Sequence, residues 1–289
     1  MRYADLHLHT TNSDGILSPQ ELIDEARSAG IQALAITDHN KLLLDFEELK
    51  EQNPDMNLVR GVEITALHEF STGKKTEIHI VGLLFKEIES MVSFLGKNHS
   101  DGRKRVTASL KRLKEDCKEA VGTYEDIQKM FPGERIGRMQ LAKAMVAWGI
   151  TKNVTDSFDI YIGDYGKRLA WVENPVKFAS IQQVVDAIKE AKGISVLAHP
   201  LSYKLNDEEF QELIECFKSV GGHALEAVYL KYDSIERAFL ENVAKEKGFL
   251  VSCGTDYHGN FEGEELKGHF SIEYFLEIEK LQNRLYPEE

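Results

Sequence analysis

Two rhythms of apolar residues alternate along this chain, short unbroken or every-second-residue runs and stripes spaced by three or four. Tyr3 to Leu8 reads as a strand. Successive side chains of a strand point to opposite faces, so His7 and His9 share one side and Leu6 and Leu8 the other. Ser18-Pro19-Gln20-Glu21 then joins a capping box to a proline at the first helical position. Leu22, Ile23, Ala26 and Ala29 form the stripe of that helix, and Gly30 ends it. Ile31 to Thr37 predicts a buried strand stopping at Asp38-His39-Asn40. Leu58 to Ile64 predicts a strand carrying Glu63, and Ile78 to Phe85 one carrying His79.

From about His99 the rhythm changes. Arg103 to Ala120 predicts an amphipathic helix with Val106, Leu110, Leu113 and Cys117 on one side. Further helices follow at Tyr124 to Met130 and from Gly137 through Trp148, and Phe158 to Val172 is aromatic-rich. Because these apolar residues need burial, residues 99–175 read as an inserted, mostly helical subdomain, and 1–98 plus 176–289 as the main domain. After it the alternation resumes: helix Ser180 to Ala191, strand Ile194 to Ala198, helix Asn206 to Ser219, strand Leu225 to Leu230, helix Asp233 to Lys247, strand Phe249 to Cys253. About seven short strands separated by helices predict parallel βα units closed into a barrel. An open doubly wound sheet is the alternative, but no Gly-x-Gly-x-x-Gly loop follows any strand.

Composition narrows the partners. Lys+Arg 35 against Asp+Glu 48 gives a net charge of −13. That surface repels duplex nucleic acid and anionic membranes, so positive charge for an anionic substrate must be local. Cys117, Cys216 and Cys253 fit neither a disulfide framework nor a thiolate zinc site, and point to a reducing cytoplasm. No run approaches the ~18 apolar residues of a membrane span, and no apolar signal core opens the chain.

In a βα barrel the functional groups gather where strands end. His7 and His9 close the first strand, with Asp14 in its loop; His39 follows the second and Glu63 lies near the end of the third. His199 closes the fifth, and Asp256 and His258 follow the seventh, again two apart. His79 lies early in its run rather than at its end. Taken singly, each has an ordinary structural explanation in a turn, a cap or a solvated surface. Six of ten histidines at predicted strands or strand ends do not, and together with the carboxylates they predict a polynuclear metal centre.

Asp-Leu-His-Leu-His-Thr at 5–10, Thr-Asp-His at 37–39, Gly-Val-Glu at 61–63, Ala-His-Pro at 198–200 and Gly-Thr-Asp-Tyr-His at 254–258 resemble the polymerase-and-histidinol-phosphatase (PHP) family. The resemblance implies a distorted (β/α)7 TIM-like barrel with a trinuclear metal site. By that resemblance His7, His9, Glu63 and Asp256 hold one metal. Glu63, His79 and His199 hold a second, and Asp14, His39 and His258 a third. Many members carry histidine where this chain has Asp14; the harder ligand favours Mn²⁺ or Fe²⁺ over an all-imidazole Zn²⁺ site. The insertion, Gly137-Arg138 and Gly166-Lys167 look like the subgroup of nucleoside 3′,5′-bisphosphate phosphatases and 5′-end RNA exonucleases.

The expected chemistry is phosphomonoester hydrolysis by a metal-activated hydroxide, with Glu63, His199 and Asp256 at its centre. The expected substrate is a small phosphorylated molecule, a nucleoside 3′,5′-bisphosphate, with short single-stranded RNA as a further possibility. The insertion is expected to act as a lid, with Arg138 and Lys167 as phosphate contacts. Three other readings compete: a histidinol-phosphate-like phosphatase of small metabolites, an amidohydrolase, and a binding domain scaffolded by its metals. No lysine suited to bridging metals lies at a strand end, which weighs against the second. Mixed imidazole and carboxylate ligands weigh against the third.

Overall fold

A computed structural model describes residues 2–98, 102–117, 120–132, 136–163, 178–260 and 265–287. The chain divides into two compact units, 1–98 with 178–289 and 99–177. The first unit begins with β1 (Tyr3–Leu8), α1 (Pro19–Ser28), β2 (Ile31–Ile36), α2 (Phe46–Gln52), β3 (Asn57–Glu69), β4 (Lys75–Leu83) and α3 (Ile88–Lys97). The second contains α4 (Gly102–Cys117), α5 (Tyr124–Met130), α6 (Arg138–Ala147), α7 (Val154–Ser157) and a π-helical turn, Phe158–Ile162. The first unit then resumes with α8 (Ile181–Glu190), β5 (Ile194–Leu197), α9 (Asp207–Ser219), β6 (Ala224–Tyr229), α10 (Ser234–Lys247), β7 (Leu250–Gly254), β8 (Phe270–Ser271) and α11 (Glu273–Leu285).

The helix starts follow the capping chemistry of the sequence. Ser18, Thr123, Ser180, Asn206 and Asp233 each accept a backbone N–H of their helix's first turn, and Glu21, Asp126, Gln183, Glu209 and Glu236 reach back to the cap. Gly30, with φ of 78°, supplies the left-handed residue that turns α1 into β2. Helices α2, α3 and α11 and the two-residue strand β8 are additions to the elements predicted from the apolar rhythm.

The sheet runs β7-β6-β5-β4-β3-β2-β1-β8. Its far ends meet: Asp256 donates its N–H to the carbonyl of His7 at 2.9 Å, and His9 donates to that of Tyr257 at 3.0 Å. The result is a distorted, nearly closed α/β barrel, as the apolar pattern predicts. Strand direction departs from an all-parallel arrangement. β4 runs antiparallel to both β3 and β5, and β8 antiparallel to β1. Only Phe70 to Lys74 joins β3 to β4, turning through Gly73, and so short a connection permits a hairpin but no crossover. β3 also continues five residues past Ile64, so Glu63 sits within the strand rather than near its end.

Separate apolar clusters support the barrel. Val62, Ile64, Ile78 and Ile80 pack with Val184 and Ile188 of α8, Leu213 and Phe217 of α9 and Leu240 of α10. Leu8, Leu34 and Ile36 pack with Leu22, Ile23 and Ala26 of α1. Each fully buried aliphatic side chain contributes roughly 1.5–3 kcal/mol. The second unit has its own core, in which Val106, Leu110 and Leu113 of α4 meet Ile127, Leu141, Met145 and Ile162. In the first unit Asn98 donates to the Thr65 carbonyl at 3.0 Å and accepts the Ala179 N–H at 2.8 Å, fixing the point where the chain leaves and returns.

Candidate metal centre

Glu63 is the hub. Its side chain is fully buried, and its Oε1 lies 2.9 Å from His79 Nδ1 and 3.0 Å from His199 Nε2. Its Oε2 lies 2.9 Å from His39 Nδ1 and 3.3 Å from Nε2 of both His7 and His9. Asp256 Oδ1 approaches His9 Nε2 at 3.1 Å and His7 Nε2 at 3.6 Å. On the far side of His9, Asp14 lies 3.3 Å from His258 Nε2 and 3.6 Å from His39 Nε2. The rings of His9 and His258 stack with centroids 4.1 Å apart. All nine residues expected from the sequence therefore converge.

Local backbone explains the convergence. β1 presents His7 and His9 on one side, as two-residue spacing requires. β4 runs antiparallel, so residues early in it reach the rim that parallel strands reach at their ends; His79 sits early in its run for this reason. His199 and Asp256 adopt φ of 29° and 58°. Such left-handed conformations are costly for residues other than glycine and persist where the surroundings fix them.

Three ligand groups have donor atoms all within 4.8 Å of one another: His7, His9, Glu63 and Asp256; His39, Glu63 and His79; and His9, Asp14, His39 and His258. The first coincides with the quartet implied by the family resemblance. In the others His9 and His39 are shared more widely than that resemblance implies, and His199, which the resemblance puts in the second set, meets Glu63 but belongs to none of the three groups. His7 Nε2, both nitrogens of His9, Glu63 Oε2 and His199 Nδ1 are buried and make no hydrogen bond. Buried polar atoms are almost always partnered, and here imidazole nitrogens and carboxylate oxygens converge with several of them unpartnered. Divalent cations fit that donor set.

The electrostatics agree. Burial alone would raise the Glu63 pKa, yet His39, His79 and His7 hold it well below the usual carboxylate range. Asp256 is likewise held low, against its burial, by His9, His7 and His258. Burial works against protonation of His39, but Glu63 and Asp14 raise it to about 9. Burial, with His258 and His39 nearby, pushes His9 down to about 3. The carboxylates thus remain charged at neutral pH, as ligands to a cation must.

Around these groups lie residues to which the sequence reading gave no part in the centre. Glu226 of β6, buried, stands 2.9 Å from His7 Nδ1. Tyr229 donates to Asp256 Oδ2 at 2.9 Å, and Lys231 Nζ lies 3.8 Å from the same oxygen. Asp5 accepts from Thr255 and from the His7 N–H. Tyr203 accepts the His79 N–H at 2.8 Å and donates to the Ala198 carbonyl at 2.9 Å. The available signal for Glu226 was an acid inside an apolar strand, which is costly unless partnered. Arg138 opens α6 in the second unit, and Lys167 lies outside the described residues. Among the described residues no helix is long and apolar enough to cross a membrane.

A nearly closed α/β barrel with clustered imidazoles and carboxylates along one rim defines a metal-dependent hydrolase. The chain belongs to the PHP domain family, whose pattern matches residues 5–255. Among its relatives, a 5′-3′ exoribonuclease of Haemophilus influenzae is 32% identical over 256 residues, 88% of this chain and 89% of that protein. A 3′,5′-nucleoside bisphosphate phosphatase of Chromobacterium violaceum is 28% identical over 275 residues, 93% of this chain and 92% of that protein. A crystal structure from Bifidobacterium adolescentis, assigned to the metal-dependent phosphoesterases, superimposes with a TM-score of 0.75 at 27% identity, covering 95% of this chain and 94% of the other. The protein is a metal-dependent phosphoesterase of this family.

Proposed function

We propose that the protein removes the 3′-phosphate of nucleoside 3′,5′-bisphosphates, using two or three divalent cations, Mn²⁺ first among them. The observation that carries this reading is the convergence of imidazole and carboxylate atoms on Glu63, several of them buried without a hydrogen bond. In this reading His7, His9, Glu63 and Asp256 hold one cation, Glu63, His79 and His199 a second, and Asp14, His39 and His258 a third. When bound, such ions neutralise phosphoryl charge and make water a competent nucleophile near neutral pH.

The residues of this chain do the positioning. Glu63, with an oxygen toward each ligand group, fixes the spacing of the first two sites. Tyr229 holds the carboxylate of Asp256 toward His7 and His9. Asp14 makes the third group harder than an all-imidazole one, which favours Mn²⁺ or Fe²⁺. Arg138 supplies the bidentate phosphate contact and Lys167 the point charge. Local charge of this kind offsets a net charge of −13 that otherwise repels a dianion.

A second reading is stepwise release of nucleotides from the 5′ end of short RNA, favoured by the identity to the H. influenzae exoribonuclease. One experiment separates them. Metal content is measured on the protein as purified, phosphate release is followed from adenosine 3′,5′-bisphosphate and histidinol phosphate, and nucleotide release from a 5′-phosphorylated RNA hexamer, with and without Mn²⁺. Preference for the bisphosphate supports the proposal. Preference for the hexamer or for histidinol phosphate replaces it with the corresponding alternative, and no hydrolysis by metal-loaded protein overturns all of them.

A further inference from the structure

Glu226 belongs to none of the three ligand groups, yet it touches two of the residues that do the gathering. Its Oε1 lies 2.9 Å from His7 Nδ1, and its Oε2 accepts the backbone N–H of His199 at 2.7 Å. With Oε2 accepting from His199 and Oε1 facing the ring, the contact places a proton on His7 Nδ1. In the neutral ring that a cation would bind, the lone pair of Nε2 then faces Glu63 and Asp256, where that atom is buried and lacks a hydrogen bond. The second contact fixes His199 where its φ of 29° leaves the backbone strained.

The surrounding chain leaves room for this arrangement. A Cβ on Gly254 would fall 2.3 Å from Glu226 Oε1 and 2.4 Å from His7 Cβ. Residue 254 must therefore lack a side chain for the carboxylate and the imidazole to meet. The glycine of the Gly-Thr-Asp-Tyr-His stretch thus has a physical reason.

We propose that Glu226 is a positioning residue that sets the tautomer of His7 and the backbone of His199 together, coupling two cation sites through one side chain. The inference rests on the reading of the cluster as a metal centre, but not on any particular substrate. Both oxygens accept, so the requirement is for a carboxylate and not merely for a polar group. Glutamine offers one acceptor and one donor, and its NH₂ group would face a donor at either His7 or His199.

The test uses the full chain with Glu226→Gln, Glu226→Leu and Gly254→Ala. Circular dichroism checks the fold, chelator competition gives Mn²⁺ affinity and stoichiometry, and long-range ¹⁵N correlations on ¹⁵N-histidine protein loaded with Zn²⁺ report the His7 tautomer. For folded Glu226→Gln we expect Mn²⁺ affinity to fall about 10- to 100-fold, the usual effect of losing a partner behind a ligand. The fixed Nδ1–H pattern of His7 should be lost, and Gly254→Ala should weaken Mn²⁺ binding although it retains the carboxylate. Wild-type affinity and an unchanged His7 tautomer in Glu226→Gln would overturn the inference, whatever happens to thermal stability. If Glu226→Leu fails to fold, the near-isosteric glutamine variant still decides. Because the readout is cation binding, a protein that hydrolyses none of the three substrates leaves this result standing and removes only the proposed function.

Discussion

The carboxylate of Asp38 accepts both the N–H and the hydroxyl of Thr10, each at 2.8 Å. The same carboxylate takes the Ser13 hydroxyl at 2.6 Å and the Asn12 amide at 3.3 Å. One acid just past β2 therefore fastens the loop that leaves β1, and that loop delivers Asp14 to His39 and His258.

Replacing Asp38 by alanine removes acceptors from four buried or half-buried donors on three residues. Hydrogen bonds to charged groups are each worth about 1.5–3 kcal/mol, and with partial rescue by water a net loss of about 2–3 kcal/mol is expected in urea unfolding. Cation occupancy should fall first in the group that contains Asp14. Equal loss from all groups would contradict this.

Glu63→Gln should reduce phosphate release at least about 10³-fold, the equivalent of several kcal/mol of lost cation-dependent stabilisation. Its removal also leaves five imidazoles facing an uncharged amide. Metal analysis of the purified variant should show fewer bound ions, and full occupancy with full activity would refute its role as hub.

Chelation should destabilise the protein without any change of sequence. A ligand bound only by the folded state adds about 2.7 kcal/mol when present at about 100 times its Kd. Calorimetry of EDTA-treated protein should show the melting temperature climbing with added Mn²⁺. A melting temperature indifferent to Mn²⁺ would contradict the site.

Metal-free protein should lose stability between pH 7 and 9. His39 rises from an ordinary 6.5 to about 9 in the folded state through Glu63 and Asp14, against its burial. Its contribution is complete below about 6.5 and disappears as pH climbs through 9. Asp5, which burial lifts to about 7, and His9, at about 3, finish titrating lower. A cation must displace the His39 proton, so Mn²⁺ affinity should rise across that window, by up to tenfold per pH unit for each proton released. Denaturation and titration calorimetry at several pH values measure both slopes, and an affinity that falls with pH would refute the assignment.

Much of the site was legible in the sequence because short-range geometry carries it. The spacing of His7 and His9 fixes a shared face, and Ser18-Pro19-Gln20-Glu21 fixes the start of α1. The apolar run Leu225 to Leu230 marks β6, but nothing nearby in sequence tells that Glu226 will meet His7, 219 residues away. Register and strand direction are tertiary matters. β4 was readable as a strand, while its reversal lay in the brevity of the link from Phe70 to Lys74. Tyr203 and Tyr229 look like packing aromatics until their hydroxyls are located against backbone and carboxylate.

Asn98 and Ala179 lie next to one another although 81 positions separate them. The barrel unit therefore completes its own circuit, and the intervening stretch leaves and rejoins it at one point. A short turn bridging that point should leave the strands and their imidazoles assembled. The same scaffold can accordingly exchange one interposed module for another while its own strands stay in place.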